Sequence, residues 1–234
     1  MKYKRIMLKL SGESFSKEKG QGINHEILHG MAAKIAAVAK ADTQIVIVVG
    51  GGNIWRYRDT IGSGIERNAS DAMGMLATIM NSVALQAALE AAGVFTRILS
   101  SINVPQLAEP FIHRRAIRHL EKGRIVICAG GTGNPYFTTD SAAALRALEL
   151  NCEVLFKATN VDGVYDKDPR TNPDAILYKT LTYQEAIEKN LNVMDQAAFA
   201  LCRDQKLPIR VFDMSDDNLG KAVQGQDIGT LVHA

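Results

Sequence analysis

The chain has 234 residues, of which 27 are Lys or Arg and 25 are Asp or Glu, for a formal net charge of +2. That length suffices for one α/β domain with a sizeable core, and the near balance of charge shows no basic stripe of the kind a nucleic-acid partner requires. Cys128, Cys152 and Cys202 stand far apart in apolar contexts and form no C-x-x-C pair, which excludes a disulfide framework and reads as buried thiols in a reducing compartment.

From the first residue, MKYKRIMLKLSGES is charged and then strand-like, with an apolar run too short for a signal peptide; no stretch approaches the ~20 apolar residues of a membrane span. The chain is therefore read as cytoplasmic, with no membrane contact. Apolar, β-branched runs predict strands at 5–10, 45–49, 95–99, 125–129, 154–157 and 209–212. Between them, Ala, Leu and Met at helical spacing predict helices at 25–40, 70–92, 114–121, 140–150 and 194–205, with Gly93 and Gly123 as stop signals. Strand-helix alternation predicts a largely parallel sheet covered on both faces. Neither repeat nor long linker interrupts it, and residues 1–234 are read as one domain. The polar stretch 162–175 is long enough to be a functional surface loop.

Ligands of such sheets sit beyond the strand carboxyl ends. Three glycine-rich segments fall there: KLSGES (9–14) after the first strand, GGGN (50–53) after the second and GGTGNPYFTTD (130–140) after the fourth. Glycine lets backbone N–H groups approach an anion closely. Three such turns, with lysine, arginine and hydroxyl side chains nearby, suit a pocket for two phosphorylated molecules and point to phosphoryl transfer. Thr138 or Thr139 is placed to cap the helix that follows.

Other motifs carry less. No G-x-x-x-x-G-K-[ST] occurs, and neither GTGNPY nor GSGIER completes G-x-G-x-x-G. His25, Glu26 and His29 spell H-E-x-x-H, the zinc-protease pattern, but they follow Asn24, a capping residue, and Ala32 and Ile35 break the longer spacing of one large class of those enzymes. A solvated helix start explains them better. Asp162, Asp166 and Asp168 lack the spacing and the glycine of an EF-hand.

KLSGES, VVGGGNIWR, DAMGMLATIMN, GTGNPYFTTDSAA, KATNVDGVYDKDP and the late VMD and KLPIRVF segments together resemble bacterial UMP kinase, of the amino acid kinase superfamily, from about residue 4 to the last. The resemblance implies a three-layer αβα sandwich with a mainly parallel central sheet, and transfer of the γ-phosphoryl group of ATP to UMP, giving ADP and UDP. It places Lys9 and Lys157 on the ATP phosphates, Asp140 as organiser of the two lysines, and Asp195 beside Lys9 or as a helix cap. For the donor it implies Lys9, Leu10, Ser11, Gly12, Gly52, Arg56, Thr159, Asn160, Tyr165 and Asp168. For UMP it implies Gly51, Arg56, Asp71 on the ribose hydroxyls, and Thr132, Gly133, Asn134, Pro135, Tyr136, Phe137, Thr138 and Thr139. Mg²⁺ would be held mostly by phosphate and water, with no protein ligand named.

A phosphate monoester with a second pKa near ~6 is already an anionic nucleophile at neutral pH, so no general base is required. The resemblance also implies a homohexamer and UTP inhibition. Helix 72–92 is rich in Met and Leu beyond the needs of one face, although an ordinary core explains that equally well. Departures occur too. Tyr57, Arg58 and Asp59 follow Arg56 where glycine is common in the family, and Gln86 and Ala87 stand where GTP-activated members carry Arg-Asp, which puts GTP activation in doubt. The 17–22 loop matches a region linked with effector response and reads equally well as a solvated turn. Two rival readings remain: a non-catalytic nucleotide-sensing regulator, and a kinase of an amino acid carboxylate such as N-acetylglutamate.

Overall fold

The computed structural model describes residues 2–17 and 21–234. Much of the 17–22 loop, an expected effector region, lies outside them.

The elements run β1 (Arg5–Leu10), α1 (His25–Ala39), β2 (Gln44–Val49), α2 (Arg67–Ala91), β3 (Thr96–Ser100), β4 (Glu109–Pro110), α3 (His113–Glu121), β5 (Ile125–Ala129), α4 (Thr139–Glu149) and β6 (Val154–Thr159). There follow β7 (Val164–Tyr165), β8 (Leu177–Tyr178), β9 (Thr180–Thr182), α5 (Tyr183–Glu188), α6 (Gln196–Asp204), β10 (Ile209–Asp213), α7 (Asn218–Gln224) and β11 (Thr230–His233). Nine strands form one sheet in the order β4-β3-β5-β2-β1-β6-β10-β11-β9, while β7 and β8 make a separate hairpin. Within the nine-stranded sheet pairing is parallel except between β10 and β11, and the β7/β8 hairpin is antiparallel.

The strands are continuous apolar runs because both faces are covered. Ile6, Leu8 and Leu10 of β1 join Ile45, Ile47 and Val49 of β2 in a core under α1, α2 and α7. Met7, Val46 and Val48 point the other way, into a second core with α3, α4, α5 and α6. Burying each such aliphatic side chain contributes about 1.5–3 kcal/mol. The parallel register of β1 on β6 sets Lys9 directly opposite Lys157, both on the α4 face that Met7 and Leu155 share. This register brings the two predicted cations together.

The sheet covered on both faces is as the alternation predicted and the αβα sandwich is as the resemblance implied; the six predicted strands and five predicted helices all form, with ends shifted by at most a few residues. Gly93 and Gly123 end α2 and α3 with φ of 81° and 67°. Further elements appear that the pattern did not announce: β4, β7, β8, β9, α5, α7 and the antiparallel β11. One sequence reading needs correction. Helix α2, with a mean hydropathy of 1.4 over its best window, is long and apolar enough by composition to cross a membrane. Its inner face, however, buries Ser70, Thr78, Asn81 and Ser82 against the sheet and the glycine turns, in hydrogen bonds that a core helix makes. Positive charge is also less dispersed than the overall balance suggested, since α3 exposes Arg114, Arg115 and Arg118, with Glu109 and Glu121 beside the last two.

Candidate active site

At the carboxyl end of the sheet, Asp140 lies in the first turn of α4, where the helix dipole favours a carboxylate. Thr138 caps that helix, its hydroxyl accepting from the Asp140 and Ser141 N–H groups. Asp140 Oδ1 stands 2.7 Å from Lys9 Nζ and Oδ2 stands 2.8 Å from Lys157 Nζ. Lys157 also donates to the Val193 carbonyl at 2.6 Å. The two ammonium groups thus take one carboxylate oxygen each.

All three groups are largely buried, and the electrostatics follow from that. Burial pushes the Asp140 carboxyl up, yet the Lys9 and Lys157 ammonium groups outweigh it and hold the acid below its ordinary value. For Lys157 burial dominates, and its ammonium is lost at lower pH than that of an ordinary lysine, although Asp140 opposes the shift.

Asp195 does not make the pairing with Lys9 that the sequence left open. It caps α6, accepting from the Ala198 N–H at 2.9 Å, and it holds the Thr138 and Ser141 hydroxyls. Asp195 thus ties the start of α6 to the start of α4, where Asp140 sits. A cap satisfies an otherwise orphaned donor, which is the stronger demand on a carboxylate at that position.

The glycine turns nest against one another. A Cβ on Gly12 would lie 2.6 Å from the Gly50 carbonyl and 2.7 Å from the Gly52 nitrogen, so only glycine lets the KLSGES and GGGN turns touch. Behind them, Asn53 and Asn81 exchange side-chain hydrogen bonds at 3.1 and 2.7 Å, and Asn81 also donates to the Gly50 carbonyl at 2.7 Å. Thr78 accepts from the Gly130 N–H at 2.9 Å. One face of α2 thus holds both glycine loops.

Two cavities open here. The larger, about 1120 Å³, is lined by Gly52, Arg56, Thr159 and Asn160 of the predicted donor set, together with Glu13 and Asp213. The smaller, about 330 Å³, is lined by Gly51, Arg56, Asp71, Thr132, Asn134, Phe137, Thr138 and Thr139 of the predicted acceptor set. Trp55 and Arg56 border both. The charge cluster lies along the same rim: Asp140 follows Thr139 of one cavity, and Lys157 precedes Thr159 of the other by two residues.

The remaining predicted residues are placed around this centre. Leu10 and Gly12 are buried beneath it, and Ser11 caps the short 3₁₀ turn Gly12–Phe15. Tyr165 and Asp168 do not line the larger cavity; Tyr165 donates to Asp162 at 2.6 Å and Asp168 pairs with Arg170 at 3.0 Å. Gly133, Pro135 and Tyr136 lie in the acceptor loop without lining the smaller cavity. Asp71 accepts from both Arg67 Nε and the Tyr136 N–H, each at 2.8 Å.

Several participants were not foreseen. Glu13 pairs with Arg56 at 2.9 Å, and Arg67 lies over the Tyr57 ring with its guanidinium 4.3 Å from the centroid. The Arg67/Asp71 spacing of four is a signal that helix periodicity could have raised. After Arg56, residues Tyr57–Thr60 form a 3₁₀ turn, which is the shape taken by the departure from glycine there. His25, Glu26 and His29 are exposed on the first turns of α1, with Asn24 as the cap. Asp162 and Asp166 are engaged by Tyr165 and by the Ile176 N–H. The three cysteines are buried, and burial pushes the Cys128 and Cys202 thiols up to about 12.

A mainly parallel αβα sandwich that carries, on one rim, a lysine-aspartate-lysine cluster and two cavities sharing Trp55 and Arg56 defines a small-molecule kinase of the amino acid kinase type. The sequence profile of the amino acid kinase family matches residues 4–213, and the chain belongs to that family. Over 234 residues it is 50% identical to the chloroplastic uridylate kinase PUMPKIN of Arabidopsis thaliana, covering 99% of this chain and 69% of that protein. The structure superposes on the UMP kinase of Bacillus anthracis with a TM-score of 0.95 and 38% identity, over 99% of this chain and 96% of that one. The UMP kinase of Ureaplasma parvum gives a TM-score of 0.93 and 36% identity, with both chains fully covered (100% and 100%).

Proposed function

We propose that this protein transfers the γ-phosphoryl group of ATP to UMP, giving ADP and UDP. The observation that carries this reading is the Lys9–Asp140–Lys157 cluster on the same rim of the sheet as two cavities that share Arg56. ATP enters the larger cavity and UMP the smaller. Lys9 and Lys157 stabilise the charge on the transferred group, and Asp140 holds both ammonium groups in place without taking a proton. Arg56, beside both cavities, spans the two phosphate chains with its planar fork. The UMP phosphate attacks as an anion, so no general base is required.

Both carboxylate oxygens of Asp140 face ammonium groups, and no cluster of three or more metal-capable His, Cys, Asp or Glu side chains occurs among the described residues. That donor set fits Mg²⁺ carried by the donor phosphates and water rather than by a protein cage, and when bound it neutralises phosphate charge.

The test is ADP formation from MgATP with UMP, CMP, AMP or N-acetylglutamate as acceptor. Turnover with UMP is expected. Turnover with N-acetylglutamate instead would move the chain to the carboxylate kinases, and saturable ATP binding with no turnover would favour a nucleotide sensor. The alkaline limb of kcat offers a further check. The ammonium of Lys157 is lost below the ordinary 10.5, so the rate should fall as pH rises before that value is reached, whereas Lys157→Met should give a low rate without this limb.

Self-association and regulation belong to the same reading. Met73, Leu76, Met80 and Val83 are 40, 50, 56 and 37% exposed and form one stripe along α2 at spacings of three and four. Such a stripe suits burial against further copies of the chain in a hexamer. Met80→Asp is expected to yield smaller species in sedimentation, and a wild type that sediments as a monomer would end the proposal. UTP shares the uracil ring of UMP and would compete for its cavity. Gln86 donates to the Thr96 carbonyl at 2.9 Å and neither it nor Ala87 is charged, so activation by GTP through an Arg-Asp pair is not proposed.

A further inference from the structure

The irregular backbone of the site is concentrated at residues 130–136, where Gly130, Gly131, Gly133 and Tyr136 have φ of 76°, 59°, 82° and 69°. Such a loop keeps its shape only when its surroundings determine it. Three attachments do so. Two come from α2, through Thr78 to the Gly130 N–H and through Asp71 to the Tyr136 N–H. The third comes from the opposite side, where Ser101 Oγ donates to the Gly131 carbonyl at 2.9 Å and accepts from Arg146 Nη2 at 3.0 Å.

We propose that Arg146 and Ser101 form a positioning relay that sets the acceptor loop and thereby the affinity for UMP. The inference rests on the reading of residues 132–139 as the acceptor site.

The direction of the relay follows from donor counting. A serine hydroxyl has one proton, here given to the Gly131 carbonyl, so its lone pairs are what Arg146 meets. A cationic donor on a hydroxyl polarises its O–H and strengthens the bond that the hydroxyl makes in turn. Arg146 is 7% exposed and is itself held from two further sides: its guanidinium stacks 3.7 Å from the Phe111 ring centroid, and Nη1 pairs with Glu149. Lysine could not lie flat on Phe111 and serve Ser101 and Glu149 together. The loop in turn rests on Ser101, since a Cβ on Gly133 would lie 3.1 Å from the Ser101 carbonyl.

Arg146 lines neither nucleotide cavity. It borders a separate space of about 310 Å³ behind the loop, with Phe111 and Thr132, and so acts on the acceptor through Ser101. It also stands on α4 six residues after Asp140. One helix therefore sets the two lysines from its first turn and the acceptor loop from its second.

The experiment compares Ser101→Ala, Arg146→Lys and the double variant by their UMP and ATP dependence. Each single change is expected to raise the KM for UMP about tenfold while the KM for ATP moves less than about twofold. The double variant should be no worse than the more severe single, because both cut the same connection. Ser101→Ala removes one hydroxyl from a half-buried position and keeps the test valid should Arg146→Lys loosen the fold. Equal changes in both KM values, additive effects, or an unmoved UMP dependence in Ser101→Ala would overturn the relay. A wild type that turns over no UMP would instead remove the acceptor reading on which it rests.

Discussion

Asp140→Asn is expected to lower kcat by about 10²–10³-fold while leaving UMP and ATP affinity nearly intact. The substitution keeps the shape of the side chain and most of its place at the start of α4, where a first-turn carboxylate adds only about 0.3–1 kcal/mol to the helix. What it removes is the negative charge between two ammonium groups at 2.7 and 2.8 Å. Neighbouring strands hold Lys9 and Lys157 in opposed register, so the two cations cannot simply separate. The available relief is loss of a proton, and Lys157, already pushed down by burial and by Lys9, is the group that yields it. A neutral Lys157 no longer stabilises the transferred phosphoryl group. Across the alkaline range the variant should accordingly lose its rate at lower pH than the wild type does, as Lys157 gives up its proton sooner. Initial rates of UDP formation across that range, with affinities by calorimetry, supply the check. An unchanged kcat would remove Asp140 from the mechanism.

The same cluster shows what could be read in the sequence and what could not. Strands β1 and β5 were legible to the residue, because buried parallel strands are uninterrupted apolar runs with turn glycines after them. Asn24 was legible as a cap and Thr138 as one of two candidates with Thr139, since short polar side chains serve local N–H groups. By contrast, the alignment of Lys9 with Lys157 depends on the register of strands nearly 150 residues apart, which no local pattern encodes. Partner choice was hidden for a related reason. Asp195 had two plausible acceptor roles, and Arg56 pairs with Glu13 across a turn whose shape depends on the contact of Gly12 with Gly50. The last third of the fold was the least visible. Strands β9 and β11 are short and lie near the edge of the sheet, where burial imposes little pattern, yet α5 opened with a Thr182/Glu185 capping box that a closer reading would have caught.

Asp71→Asn is expected to raise the KM for UMP about 10–100-fold, with kcat and the KM for ATP changing far less. Asp71 has two duties in this structure. One oxygen accepts from Arg67 Nε and from the Tyr136 N–H, which pins the acceptor loop to α2, and the other is left for ligand hydroxyls in the smaller cavity. Asparagine cannot keep both. Its single carbonyl oxygen must face the two donors of Arg67 and Tyr136, since an amide N–H there would meet N–H groups, and its NH₂ then turns toward the ribose. A ribose hydroxyl that gave its proton to the carboxylate meets a donor instead and must accept from it, so its own proton loses its partner and the charge assistance is gone. Arg67→Ala separates the duties, because it frees the carboxylate from one partner while leaving it available to the ribose. If Asp71 binds the ribose directly, Arg67→Ala should raise the UMP KM much less than Asp71→Asn. Equal effects of the two variants would mean that Asp71 works through the loop alone, and an unaltered UMP dependence in Asp71→Asn would end its part in acceptor binding.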